Sequence, residues 1–469
     1  MHRPLKLVIL AFLILSLVSP VYAQDSTPEG PIYIVDSGDN LTSIASRFGI
    51  SVADLISANK ITDPNALKVG DQLIIPGLEG ISGVLATRTV GFADTLDQLG
   101  IENDIALDLL VKLNHITSPD ELYAGVDLVI PQRDTGQSES RKYLLQKGQS
   151  PLEFAALAGV NPWELTKLNR LASTWSVPSG RSLFLPADAV KDVHGLLSAP
   201  IENVSLSPLP MIQGETSQID IKTNQSASIN GTLLGKQLHF FNTSENQYTS
   251  LQGIHAMTEP GVYPLDFSVT LQDGTILNYQ QKVIVASGYY PRDPIIYVKD
   301  EFIDPAITTP EQQWLEGLTA PASPVKMWTG MWLSPSPSDY RECLNSRYGN
   351  RRSYNGSDFT YFHSGVDFCG GEGMQIFAPA AGKVIFAGNV SVRGNATIID
   401  HGWGVYSGYW HQSQITVKEG DLVEPGQLIG YVGGTGRVTG AHLHWEIWVG
   451  GVQVNPLLWL ETTYPKEQP

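Results

Sequence analysis

The spacing of apolar and polar positions changes character several times along the chain. Leu7 to Val18 is almost wholly apolar, lies behind Arg3 and Lys6, and leads to Val21-Tyr22-Ala23. About a dozen apolar residues fall short of the roughly 20 that a membrane-spanning helix needs. Residues 1–23 are therefore expected to be an export signal cleaved after Ala23, with an uncleaved N-terminal anchor as the rival. A recurring unit follows. Pro76, Pro131 and Pro186, each closing an apolar run, lie 55 residues apart. The same shift relates Gly70, Gly125 and Gly180; Leu73, Leu128 and Leu183; Asn59, Asn114 and Asn169; and Leu55, Leu110 and Leu165. Such agreement reads as an internal repeat. Its first copy predicts a strand over 32–35, a helix through Ile44, Ala45 and Phe48 capped by Asp39 or Asn40, a second helix over 52–58 and a strand over 72–75.

From about residue 200 to 286 the pattern becomes alternating, as in Ile219-Asp220-Ile221-Lys222 and Leu265-Asp266-Phe267-Ser268-Val269. Turn signals recur at Asn230-Gly231, Pro260-Gly261 and Asp273-Gly274. This predicts a small β-sandwich, Ig-like in the loose sense, with a spacer or covering role. In the last third, the segments 359–362 and 445–449, rich in aromatic and β-branched residues, read as strands.

Histidine placement turns the last segment into a candidate site. Five of the ten histidines fall between His363 and His444. His363 and Asp367 are four apart, His442 and His444 two apart. On strands, even offsets place side chains on one face. Two imidazoles and a carboxylate make a three-ligand zinc set with a fourth position open, as a catalytic site requires. His401, beside Asp400, reads as holding a turn, and Glu446 as a structural neighbour of His444.

Composition narrows the partners. The chain has 469 residues, 42% of them hydrophobic, and a net charge of −17. That charge argues against nucleic acid and anionic lipid as partners. From Val325 onward there are 10 basic and 12 acidic residues, so the acidity sits in the repeats and the sandwich. Cys343 and Cys369 are the only cysteines; in an exported chain they could pair or stay as buried thiols.

Two resemblances sharpen this reading. Ser37-Gly38-Asp39-Asn40-Leu41, Ile44-Ala45, Phe48, Asn59 and Val69 to Pro76 resemble the LysM module, with degenerate second and third copies. The resemblance implies small α+β (βααβ) modules that bind N-acetylglucosamine polymers such as the glycan of peptidoglycan. Candidate sugar contacts are Gly38, Asp39, Asn40, Leu41 and Thr42; the degenerate copies either bind or serve as spacers. Residues from about 324 resemble the lysostaphin/LytM-type zinc metallopeptidases, which implies a mainly-β antiparallel-sheet domain. The motifs are His363-Ser364-Gly365-Val366-Asp367, Ala378-Pro379-Ala380-Ala381-Gly382, Tyr409-Trp410-His411 and Gly440-Ala441-His442-Leu443-His444. By this resemblance one zinc ion is held by His363, Asp367 and His444. His442 is implied as general base, and His411 as the group that stabilises the oxyanion or protonates the leaving amine.

The expected organisation is a signal (1–23), repeats at 31–77, 84–132 and 141–187, a sandwich at 200–288 and a peptidase domain at 324–462. The expected function is a zinc endopeptidase, secreted to the cell envelope, acting on stem or bridge peptides of peptidoglycan. The alternatives are a cell-wall scaffold that activates a separate amidase, and a peptidase of proteins or glycyl bridges.

Overall fold

A computed structural model describes residues 30–78, 81–92, 94–103, 105–118, 122–132, 141–144, 150–171, 173, 182–185 and 201–467. The expected export signal and the Lys147-Gly148-Gln149 turn of the third repeat lie outside these. The chain forms two compact units, one containing the first repeat and the other the remaining domains. Among the described residues no helix is long and apolar enough to cross a membrane.

In the first repeat, β1 (Ile32–Ile34) and β2 (Gln72–Ile74) pair antiparallel and flank α1 (Leu41–Phe48) and α2 (Val52–Asn59). Asn40, not Asp39, caps α1: its Oδ1 accepts from the Ser43 N–H at 2.9 Å, and Ser43 Oγ accepts from the Asn40 N–H. This reciprocal box satisfies two otherwise orphaned donors. Asp39 instead accepts from the Tyr33 hydroxyl at 2.6 Å. Leu41, Ile44, Ala45 and Phe48 form the buried stripe of α1.

The second copy has β3 (Val84–Thr89), α3 (Leu96–Glu102), α4 (Leu107–Leu113) and β4 (Asp127–Gln132). The third has β5 (Arg141–Leu144), α5 (Pro151–Ala158), α6 (Pro162–Leu168) and β6 (Ser182–Leu185). Pro151, which departs from the repeat pattern, stands in the first turn of α5, where its missing N–H costs nothing.

The recurring asparagine explains the period. Asn59 Nδ2 donates to Leu55 O and Ile74 O, while its Oδ1 accepts from the Ile74 N–H at 2.6 Å. Asn114 makes the same three bonds to Leu110 and Val129, and Asn169 to Leu165 and Phe184. Each asparagine clasps a helix to the closing strand through groups that would otherwise be buried unpaired.

The middle domain has two sheets. One runs in the order β11 (Lys236–His239), β10 (Ala227–Leu233), β14 (Gly261–Leu271), β15 (Ile276–Ala286), β8 (Met211–Ile212). The other runs β12 (Phe241–Ser244), β13 (Gln247–Gly253), β9 (Thr216–Thr223), β7 (Ile201–Ser207). Ile219 and Ile221 of β9 share one core with Leu265, Val269, Val283 and Val285 of β14 and β15.

Between this domain and the last lies a segment to which the sequence pattern assigned nothing. It contains α7 (Pro305–Thr319), which buries Leu315 against Ile398, Trp410 and Trp448. The C-terminal domain is built on one antiparallel sheet. Its order is β16 (Leu344–Ser346), β19 (Val366–Phe368), β27 (Leu443–Val449), β23 (Val405–Trp410), β22 (Gly394–Gly402), β21 (Gly382–Val390), β25 (Leu422–Val423). β28 (Val452–Val454) pairs with β27 beyond this path, and α8 (Leu457–Glu461) closes the domain. A ribbon of β17 (Arg351–Arg352) and β18 (Tyr361–Phe362) and a sheet of β20 (Gln375–Phe377), β26 (Leu428–Val432) and β24 (Gln412–Ile415) complete it. Every residue of β27 is buried, so the middle of the sheet is a rigid support. Cys343 and Cys369 are disulfide-bonded.

Candidate metal centre and its cleft

Strand register assembles the cluster. Asp367 of β19 lies directly opposite His444 of β27, and Trp410 of β23 lies opposite His444 on the other side. Three neighbouring strands thus carry Asp367, His444 and, one residue past Trp410, His411 to one edge. His363 reaches the same point differently. The expected strand through His363 and Asp367 is interrupted between β18 and β19, so the even-offset argument does not apply to this pair. The chain bends at Gly365, where a Cβ would lie 2.2 Å from Trp445 O. Only glycine fits this approach, and the bend turns His363 inward.

His363 Nε2 is 3.0 Å from Asp367 Oδ1 and 3.0 Å from His444 Nδ1. His444 Nδ1 is 2.6 Å from the same carboxylate oxygen. All three residues are buried, and their ligand atoms lie within 4.8 Å of one another. The outer ring atoms fix the tautomers. His363 Nδ1–H donates to Arg347 O at 2.8 Å, and His444 Nε2–H donates to Glu446 Oε1 at 2.9 Å. With these outer atoms engaged, the two inward nitrogens can turn lone pairs to one point, where a cation would lie between them. A nitrogen–nitrogen–oxygen set of this kind fits zinc or a similar divalent transition ion.

Burial works against a charge on His444, but Asp367 and Glu446 outweigh it and raise its basicity, so the cluster draws a cation. Burial pushes the Asp367 carboxyl up, but His363 and His444 outweigh it and hold it well below the usual carboxylate range. Burial pushes His363 down to about 4, against the pull of Asp367. Burial also works against the charge on Glu446, yet the hydrogen bond from His444 and nearby charges bring it to about 2. Arg352 links this cluster to its surroundings, with Nη2 at 3.5 Å from Asp367 and Nε at 3.3 Å from Asp293.

His411 and His442 flank the three. His442 Nδ1–H donates to Gly440 O at 2.8 Å, and its Nε2 lies 3.5 Å from Asp367 Oδ1. It sits just before β27, in an isolated bridge to Gly433, rather than on the strand itself. His411 Nδ1–H donates to Thr435 O at 2.8 Å. The two rings are 5.2 Å apart and His411 is 6.0 Å from His444. His411 has φ +64°, a left-handed conformation that costs a histidine roughly 1 kcal/mol or more. The backbone bond from His411 N–H to Arg393 O at 3.0 Å helps hold it there. Burial lowers its basicity to about 3, helped by the neighbouring histidines.

Several residues at the cleft escaped the sequence reading. Ile296 and Val298, from the segment before α7, line it together with Arg352, Arg393, Arg437, His411 and His442. That segment is laid parallel along β17: Asp293 N–H donates to Arg351 O at 2.9 Å, and Ile296 N–H to Ser353 O at 3.0 Å. Glu311 of α7 accepts from the Val392 N–H at 2.7 Å and from Arg393 Nη1 at 3.0 Å. Asp304, which caps α7 by accepting from the Ala306 N–H, was the available sequence signal.

The candidate sugar loop is in the first unit. Gly38, Asn40 and Thr42 are exposed there, Asp39 is half-buried, and the Leu41 side chain is buried in the module core.

Residues 361–456 match the family model of Peptidase family M23, and residues 33–76 and 89–131 match that of the LysM domain. The C-terminal domain belongs to peptidase family M23. It is similar to the peptidoglycan DD-endopeptidase ShyA of Vibrio cholerae, 37% identical over 121 residues, 26% of this chain and 28% of that protein. It is also similar to the DD-carboxypeptidase/endopeptidase Mpg of Neisseria meningitidis, 42% identical over 95 residues, 20% of this chain and 22% of that one. The matches thus span about a quarter of these relatives. Among solved structures, the catalytic domain of lysostaphin from Staphylococcus simulans is 28% identical, covering 32% of this chain and 98% of that one, with a TM-score of 0.21.

Proposed function

We propose that this protein is an exported zinc endopeptidase that hydrolyses peptide cross-links of peptidoglycan while its LysM modules hold the glycan. One observation supports the reading: three buried ligand atoms converge on one point, and two more histidines line the same cleft with Nδ1 committed to a backbone carbonyl. His363, Asp367 and His444 would hold the ion. When bound, such an ion supplies Lewis acidity to a carbonyl oxygen and lowers the pKa of a water molecule.

The protein's own groups do the rest. His442, with Nδ1–H committed to Gly440 O, takes the water proton at Nε2. His411 presents a bare Nε2 in the same way. The proton that His442 takes from the water, relayed to His411 Nε2, is acidified there by burial and delivered to the leaving amine, so the proton lost by the water is the one the product gains. Glu446 keeps the His444 lone pair aimed inward. A scaffold that only activates an amidase would leave these five side chains without a task. The third repeat, residues 141–187, is read as a further module because its asparagine clasp equals those of the first two. The disulfide fits an oxidising compartment outside the cytosol. Modules and catalytic domain on one chain raise the local concentration of cross-links.

Purified peptidoglycan incubated with the protein should release uncross-linked muropeptides, identified by mass spectrometry, with glycan strands intact. A chelator should stop the release. No chelator-sensitive product from several wall types would overturn the reading.

A further inference from the structure

The cleft contains three guanidinium groups, and two are paired with carboxylates. Arg352 faces Asp293 and Asp367, and Arg393 faces Glu311. Arg437 differs. Its Nη1 donates to Phe302 O at 3.1 Å and its guanidinium lies 4.7 Å above the Tyr354 ring. Among the described residues no carboxylate lies within ion-pair distance of it, and no acceptor within hydrogen-bond distance of its Nε or Nη2. It lines the same cleft as His411, His442 and His444. Burial lowers its basicity; Tyr354 and the more distant Glu311 favour its charge, while Arg393 and Arg352 oppose it. A guanidinium held there by stacking and one carbonyl, with its fork unused, lacks an anion.

We propose that Arg437 binds a free carboxylate of the substrate, the one carried by the carbon next to the leaving nitrogen. This rests on the endopeptidase reading above and narrows it. The acceptor side of a peptide cross-link comes in chemically distinct forms. Where the acylated nitrogen belongs to a stereocentre of a diamino dicarboxylic acid, that carbon carries a free carboxylate. A C-terminal amino acid as leaving group has the same feature. A lysine side-chain nitrogen has no carboxylate on its carbon, and within an oligoglycine bridge the carboxyl is tied up in the next amide. Arg437 selects the first two forms against the last two, because the last two leave its charge unpaired when they exclude water from the cleft.

The test compares two synthetic cross-linked peptides that differ only at that group, free carboxylate against primary carboxamide, with the full-length zinc-loaded protein. The wild-type kcat/KM should favour the carboxylate by about 10- to 100-fold. In Arg437→Gln the ratio should collapse to within about threefold, and Arg437→Lys, a point charge without the fork, should fall between. Equal rates on both peptides by the wild type would overturn the proposal, with no variant needed. So would an Arg437→Gln protein that loses both rates in proportion, since that places the residue in the support of Phe302 and Tyr354 only. Cleavage of neither peptide by the wild type would overturn the endopeptidase reading itself and this inference with it.

Discussion

At the turn end of the β22–β23 hairpin, His401 donates from Nδ1 to Ala381 O at 2.8 Å and accepts at Nε2 from the Ser407 hydroxyl at 2.7 Å. Just past the other end, His411 donates from Nδ1 to Thr435 O at the same 2.8 Å, but its Nε2 faces the cleft. Both rings are buried, and burial holds His401 at about 4 and His411 at about 3. Burial, backbone anchoring and low basicity are therefore common to a structural and a candidate catalytic histidine. The free second nitrogen separates them, together with the left-handed backbone at His411. Ser407 makes the difference. It satisfies His401 and is itself 2.8 Å from the Tyr409 hydroxyl, closing a polar chain inside the sheet.

Each end of the hairpin can be broken separately. The largest effect is expected from His411→Asn, a residue that tolerates the left-handed conformation. It should cut kcat by about 10²- to 10⁴-fold while zinc content, measured by elemental analysis, stays at the wild-type level. His401→Gln should do the reverse and act on stability. The folded protein keeps His401 neutral down to about 4, against a reference of 6.5. Between those values the unfolded chain binds the extra proton, so stability is lost as pH falls through this window, by about 3 kcal/mol. Denaturant unfolding should show that loss reduced by about this amount in His401→Gln, and an unchanged profile would remove the assigned role. Glu446→Gln comes next. It leaves the ring of His444 without its carboxylate partner and should weaken zinc affinity about 10- to 100-fold in a chelator competition. Ser407→Ala is the mildest. It orphans the His401 Nε2 and should cost about 1–3 kcal/mol of stability with kcat unchanged.

Much of this was legible because it rests on local spacing. Asn59, Asn114 and Asn169 recur at 55 residues since each performs the same clasp four residues after the same buried leucine. The spacing of His363, Asp367, His442 and His444 suggested a three-ligand set, while the division into ligands and base came from the metallopeptidase resemblance. Their strand placement could not be read fully. The break at Gly365 depends on how closely the Trp445 carbonyl approaches from another strand, which no local pattern records. The segment at Asp293 to Val298 was silent for the same reason. It takes shape only by pairing with β17, more than 50 residues later. The missing partner of Arg437 is likewise a fact of tertiary placement.

His363, Asp367 and His444 are proposed to hold one zinc ion that makes this cleft a peptidase. The most direct measurement is a titration of metal-free protein with zinc, following hydrolysis of a purified cross-linked muropeptide dimer. Activity should rise linearly and level off at one equivalent, and His363→Ala should stay inactive across the same range. Full hydrolysis by the metal-free protein, or none at any zinc level, would contradict the account.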